Sequence, residues 1–555
     1  MRNIRRKPHS KELRRLKGFK AAAIILSALI LLCGCRARDE NTSSFSEITG
    51  TASSSSVGRG YLTLLYSSAD TFNPYTAATD INRQLCRLLY EPLLKTDNSY
   101  NISYSLAQSA EVKGKECTVS LKSRYFSDGT ALTAEDVVYS FNLAKKSNTE
   151  YAYKLYEALS AAARDSKTVV IKLDRADPYF ANVLDFPIIK RNSDKITDSD
   201  GVTHPPIGCG RFKLNENSDR LVVNEHDPGK NRAIGEIRLI NAPDSEAVGH
   251  YVEIGAADMY YSDISDGNIL RMSGKKVNIN LNHLIYIGVN LSNEQLSLNA
   301  LRQAISSGLD RKEICRDGYY NNALPANGFF NPAWEAVKSV QNINLQANKE
   351  ITVENLEEIG YNKLDSEGVR TNSAGKKLKF ELLVNKENRL RVSAAKIIAS
   401  RLSEYGISVR VAEKSFADYT AALSSGNFQL YLAEVAITPN MDISSLITEG
   451  GSAAYGIKKP EKKEDGKKAD EKTEQTDGGE QQTEEQSLTA AELVSGFYAG
   501  TNTLADLSSV LQTEMPVIPI CYRTGVLFYN DKIENVNNSS CSDIYFSIDS
   551  YSVVS

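Results

Sequence analysis

Apolar residues fall into alternating helical and strand periods along most of the chain. Leu85, Leu88 and Leu89 recur at helical spacing, and Glu91-Pro92 ends that run. Cys117, Val119 and Leu121 alternate with Thr118, Ser120 and Lys122, which predicts a half-buried strand. Asp128-Gly129 then marks a turn, because glycine tolerates the positive φ that closes it. Thr133 stands three residues before Asp136, a capping-box spacing that starts a helix with Val137, Val138 and Phe141 on its apolar face. Further strands are expected over 61–67, 168–173, 221–226 and 236–240, and a helical stretch over 488–511. Interleaved strands and helices of this kind make an α/β protein.

Two stretches break the pattern. The chain opens with a basic flank that includes Arg2, Arg5, Arg6, Lys7 and Lys20, then an apolar run over 21–32. That run is shorter than the roughly 20 residues a membrane span needs, and it suits the core of an export signal. It ends Leu32-Cys33-Gly34-Cys35, which looks like a lipobox with Cys35 as the lipidation site and residues 1–35 as the lipoprotein signal. Two acyl chains on one cysteine give stable anchoring where a single chain does not. Residues 36–60 are rich in Ser and Thr and read as a flexible tether. The second break, 458–486, is a run of Lys, Glu, Asp, Gln and Gly without apolar periodicity, a composition that cannot offset chain entropy. It reads as a disordered surface insertion, with a partner-binding segment as the alternative.

Composition narrows the function. The 555 residues are 41% hydrophobic, enough for several cores, and the net charge of −4 lacks the basic footprint of a nucleic-acid binder. The 28 tyrosines against one tryptophan suit either a site for amphipathic ligands or ordinary strand and surface usage. His204, His226, His250 and His283 show no metal-ligand spacing, so no metal and no cofactor is expected. No phosphate loop and no nucleophile elbow occurs, no pair of carboxylates is singled out, and no catalytic residue is named. The cysteines beyond the signal could be isolated thiols or bridges; spacing alone does not pair them.

The wording of several segments resembles the extracellular solute-binding proteins of family 5, which serve peptide and nickel ABC importers. The segments are YEPLL at 90–94, SLAQSAEV at 105–112 and FSDGTALTAEDVVYSF at 126–141, followed by PPIGCGRF at 205–212. YVEIGAAD at 251–258, LIYIGVN at 284–290 and EMPVIPI at 514–520 continue the same template, which implies strands over 284–290, 378–384 and 407–412 and a helix over 390–405. In PPIGCGRF, Cys209 and Arg211 depart from the family's usual Thr and Pro.

The resemblance implies a two-lobed periplasmic-binding-protein-like fold, type II and cluster C-like, with an additional domain in the first lobe. Lobe I would comprise 61–86, 205–283 and 515–555, the extra domain 87–204, and lobe II 284–514 with the insertion inside it. It further implies a bacterial, extracytoplasmic, lipid-anchored binding protein, not an enzyme and taken as a monomer. Such a protein captures a peptide or similar small solute between its lobes and delivers it to ABC permease subunits. A ligand-sensing receptor of the same fold, or a metal-chelate or heme binder, is the alternative. By the same resemblance, Tyr66, Ser67, Ser68 and Asn73 after the first strand are candidate ligand contacts, or else a loop that satisfies its own backbone. Asn290 would end a strand near the cleft. Glu434, Thr438, Asn440 and Asp442 occupy the region where peptide-binding relatives carry an aspartate for the ligand's ammonium, although the usual D-x-x-DP register is absent.

Overall fold

The computed structural model describes residues 59–229, 231–270, 272–340, 345–457 and 489–554. The expected lipidation site Cys35, the export signal, most of the tether and the charged insertion lie outside these residues.

The first strand, Tyr61–Tyr66, pairs in parallel with Glu236–Asn241, and Arg220–Val223 and Phe212–Leu214 complete a four-stranded sheet. The expected strand over 221–226 stops at Val223 because Asn224 turns the chain. Its Nδ2 donates to the Gly210 carbonyl at 2.8 Å and its Oδ1 accepts the His226 N–H at 3.0 Å. Helix Asp80–Leu89 packs on this sheet. Its C-terminal carbonyls lie so close to the 205–212 turn that a Cβ on Gly208 would fall 2.1 Å from the Leu89 oxygen, and one on Gly210 would fall 2.3 Å from the Leu88 oxygen. The turn therefore needs both glycines for close approach. Asp258, which ends the 251–258 segment, accepts the Thr63 N–H at 2.6 Å and pins the same sheet.

A second four-stranded sheet, antiparallel throughout, takes the order Ala107–Lys113, Glu116–Leu121, Thr168–Leu173, Ala158–Asp165. Helix Ala134–Lys146 covers it, started by a complete capping box between Thr133 and Asp136. Cys117, Val119 and Leu121 face its core, and that core is continuous with the one under the first sheet.

The other large core lies around a seven-stranded sheet. Two of its strands, Lys275–Val289 and Val517–Tyr529, pair antiparallel over most of their length. Their one end, with Ile279, Leu527 and Tyr529, is buried in the first body. The other end, with Leu284, Ile287, Ile518 and Ile520, is buried in the second. The strand expected over 284–290 thus begins nine residues earlier, at Lys275, and crosses between the two bodies. A register shift between Asn280 and His283 marks the crossing. The helical stretch expected over 488–511 is two helices, Ala490–Ala499 and Leu504–Glu514; Gly500 turns out at φ 75° and Thr503 caps the second. After Val517–Tyr529 the chain returns to the first body, where Asp543 pairs with Arg211 at 2.8 Å and with Lys95 at 3.0 Å. Burial alone would raise the Asp543 carboxyl, but those cations hold it down at about 2.

Candidate functional site

A cavity of about 1260 Å³ opens beside the crossing strands, with walls from both bodies. Asp80 enters it from the first turn of helix Asp80–Leu89, and Asp244 from the N-cap of helix Ser245–Glu253. The loop after strand Met259–Ser262 contributes Asp263 and Asp266. The second body contributes Arg389 and Leu390, which open helix Arg389–Ser403. The N-cap of that helix, Asn388, donates through Nδ2 to the Ser265 carbonyl at 3.0 Å and so joins the two walls. Four aspartates oppose Lys276 and Arg389 in this lining, so the cavity is electronegative. Tyr260 stands among the carboxylates. Burial first, then Asp80, Asp266 and Asp263, push its hydroxyl up to about 12.

None of the nine residues expected at the site from sequence lines this cavity. Tyr66 stacks on Phe72, with ring centroids 6.0 Å apart. Ser67 is buried and exchanges hydrogen bonds with the Asn82 amide. The Ser68 N–H donates to Asn241 Oδ1 at 2.9 Å, and Asn73 Oδ1 accepts the Tyr75 N–H at 3.0 Å. Ser67 and Ser68 thus tie the end of the first strand to helix Asp80–Leu89 and strand Glu236–Asn241, and Asn73 bonds within its own loop. Asn290 Nδ2 donates to the carbonyls of Gly426 and Phe428. Glu434 lies opposite Ile285, five residues before Asn290, which is about 17 Å along a strand.

Glu434 forms its own centre at the crossing. Its Oε1 accepts from Arg523 Nη2 at 2.7 Å and lies 2.7 Å from His283 Nδ1; its Oε2 accepts from Arg391 at 2.6 Å. Burial would raise this carboxyl, but His283, Arg523 and Arg391 hold it well below the usual carboxylate range. Two guanidinium groups thus meet one carboxylate, and Arg523 Nη1 and Arg391 Nε have no hydrogen-bond partner.

Asp442 lies in a separate group. It accepts from Arg175 Nη2 at 2.9 Å and from the Tyr156 hydroxyl. Arg175 also pairs with Glu157, whose carboxyl is pushed up to about 7 by burial, despite Arg175, and further by Asp177 and Asp442. Asn440 Nδ2 donates to Asp177 at 2.6 Å, and the Thr438 carbonyl accepts from Asn282 at 3.1 Å. Sequence reasoning missed Asp80, Tyr260, Asp263, Asp266 and Arg389. The signal for the two loop aspartates was present, in the polar run SDISDGN at 262–268 between two apolar stretches.

The six cysteines of the described residues are free thiols. Among the described residues no group of three or more His, Cys, Asp or Glu could hold a metal, and no helix is long and apolar enough to cross a membrane.

The family model for bacterial extracellular solute-binding proteins, family 5 (middle), matches residues 101–456. The chain belongs to this family. Oligopeptide-binding protein AppA of Bacillus subtilis (strain 168) is 25% identical over 420 residues, which span 71% of this chain and 76% of the relative. The solved structure of AppA from Bacillus subtilis with a nonapeptide matches at a TM-score of 0.55 and 18% identity, covering 90% of this chain and all of that one. NikA from Brucella suis, solved with Fe(III)-EDTA, matches at a TM-score of 0.63 and 18% identity, over 88% of this chain and 99% of that one. The fold is therefore the two-lobed periplasmic-binding-protein architecture, and the two bodies described above are its lobes. Family 5 proteins are non-enzymatic, extracytoplasmic binding components of ABC transporters, and this chain is one of them. The same fold holds a peptide in one neighbour and a metal chelate in the other, so the fold does not select the ligand.

Proposed function

We propose that this family 5 protein is a lipid-anchored receptor that captures a peptide in the cavity between its lobes and delivers it to an ABC permease. The observation that carries this reading is the cavity itself. It draws walls from both lobes, and its 1260 Å³ exceeds the roughly 300–1,000 Å³ of ordinary small-molecule sites. Volume on that scale suits an oligopeptide. The lining suits a zwitterion: Asp80, Asp263 and Asp266 around Tyr260 face the cationic part, and Lys276 and Arg389 face the carboxylate. Closure of the lobes over the ligand reshapes the surface offered to the permease. Cys35 supplies the anchor that keeps the receptor beside its permease.

Native mass spectrometry of protein purified without refolding tests this reading. A bound mass that fragments as a peptide supports it and gives the length preference. Protein that arrives empty and binds no member of a random peptide pool, by thermal shift, refutes the peptide assignment. Ligand at about 100 times its Kd adds roughly 2.7 kcal/mol, so binding would be visible.

A further inference from the structure

The extra domain shares its core with lobe I, yet a row of its polar side chains reaches lobe II directly. The Tyr153 hydroxyl donates to the Ala436 carbonyl at 2.9 Å, and Asn182 Nδ2 donates to the Pro439 carbonyl at 3.2 Å. Asp177 accepts from Asn440 at 2.6 Å. Arg175 sits in the middle of this row. Its guanidinium lies 4.2 Å from the centre of the Tyr498 ring of lobe II, pairs with Glu157 of its own domain, and reaches Asp442 of lobe II at 2.9 Å. Asp442 is 4% exposed, so its charge is satisfied from inside the protein. Apolar contact continues the row, with Tyr179 against Trp334 and Phe497 at centroid distances of 5.3 and 5.8 Å.

We propose that Arg175 is an internal counter-ion that latches the extra domain onto lobe II through Asp442, so that the lobes close at this end without a ligand charge. The proposal goes beyond the peptide reading and does not depend on it. A buried carboxylate that must otherwise be left bare or neutralised favours the conformation in which a guanidinium covers it. Because the extra domain shares one core with lobe I, opening the cleft would separate Arg175 from Asp442. The latch therefore sets the ratio of open to closed molecules before any solute arrives, and with it the fraction competent to bind. Asp442 is then spent on Arg175, and the ligand's cation is read elsewhere in the cleft.

The test uses the ligand-free full chain carrying two spin labels on unnatural residues, one at Lys146 on the extra domain and one at Lys396 on lobe II, both exposed. Double electron–electron resonance then gives the inter-lobe distance distribution. The wild type gives one dominant population. Arg175→Met and Asp442→Asn each raise the ratio of a second, displaced population about tenfold, as loss of a charge-assisted link predicts. The charge-keeping Arg175→Lys, which still faces Glu157 and Asp442, keeps the single population dominant. Circular dichroism identical to wild type shows that each variant is folded, and the milder Asp442→Asn carries the test if Arg175→Met is not. Unchanged distributions in folded Arg175→Met and Asp442→Asn overturn the latch. Opening in Arg175→Lys as large as in Arg175→Met also overturns it, because closure then rests on packing around Tyr179 and Tyr498 rather than on charge.

Discussion

Replacing Glu434 by Gln removes one charge and almost no volume from the strand crossing. The carboxylate accepts bonds from Arg523 and Arg391 and contacts His283, all within 2.9 Å, and its side chain is 8% exposed. A glutamine amide keeps one acceptor and turns an NH₂ toward a guanidinium. Arg523, itself 2% exposed, then lacks its counter-charge as well as a partner for Nη1. Breaking a buried pair from one side costs about 3–5 kcal/mol, mostly for the uncompensated charge left behind. The three contacts are not additive, so the same about 3–5 kcal/mol is expected for the whole centre. Urea unfolding read from Trp334 measures it, since that single tryptophan lies in the core of lobe II. The sign with pH is also fixed. The folded carboxyl is depressed, so its stabilisation is present above the unfolded value of about 4.5 and is lost as pH falls toward the folded one. The gap between wild type and Glu434→Gln should therefore be full at pH 7 and shrink below pH of about 4.5. A gap under about 1 kcal/mol at pH 7, or one that grows on acidification, would refute the reasoning. A change in affinity for free-amine peptides but not for their acetylated forms would instead restore Glu434 as a ligand anchor.

Three further outcomes follow from the same geometry. Glu157, raised to about 7 in the folded state, contributes stability below its unfolded value of about 4.5 that is lost as pH rises through about 7. Glu157→Gln should flatten the urea midpoint across that window, and an unchanged slope would count against the charge crowding at Arg175. Gly210→Ala forces a Cβ against the carbonyls that close helix Asp80–Leu89 and should destabilise by about 1–3 kcal/mol, seen as a lower urea midpoint; a neutral result would mean that the turn can move away. Asp263→Asn combined with Asp266→Asn should weaken a lysine-bearing peptide about tenfold by calorimetry and leave an all-alanine peptide nearly unchanged. Equal losses for both peptides would remove the electronegative wall as the selector.

What was legible in the sequence was local. The alternation in Glu116–Leu121, the Asp128-Gly129 turn and the Thr133–Asp136 capping box need only neighbours within a few residues, and each stands where its pattern placed it. The glycines of the 205–212 turn were readable as a motif, but their reason, the carbonyls of Leu88 and Leu89, is 120 residues away in the chain or nearly so. The site was less legible still. Glu434 could be picked out as a carboxylate in an apolar strand, but its partners stand 43, 89 and 151 residues away in sequence. Nothing local to Glu434 tells an occupied carboxylate from one that waits for a ligand.

That distinction orders three guanidinium–carboxylate centres by what each can do. Arg211 ties Asp543 to its own lobe, so both partners keep their positions when the cleft opens. Arg523 and Arg391 meet Glu434 within the lobe II sheet and the helix that covers it, beside the register shift, so this centre fixes the geometry of the crossing strands. Of the three, the Arg175–Asp442 pair is the one whose partners belong to different bodies. Damage to the first two must appear in the unfolding free energy of both open and closed forms. Damage to the third should leave unfolding of each lobe nearly alone and move the balance between open and closed. A denaturation curve and an inter-lobe distance distribution, taken on the same set of variants, therefore separate stability from switching: Arg211→Met and Glu434→Gln should shift the first, and Asp442→Asn the second.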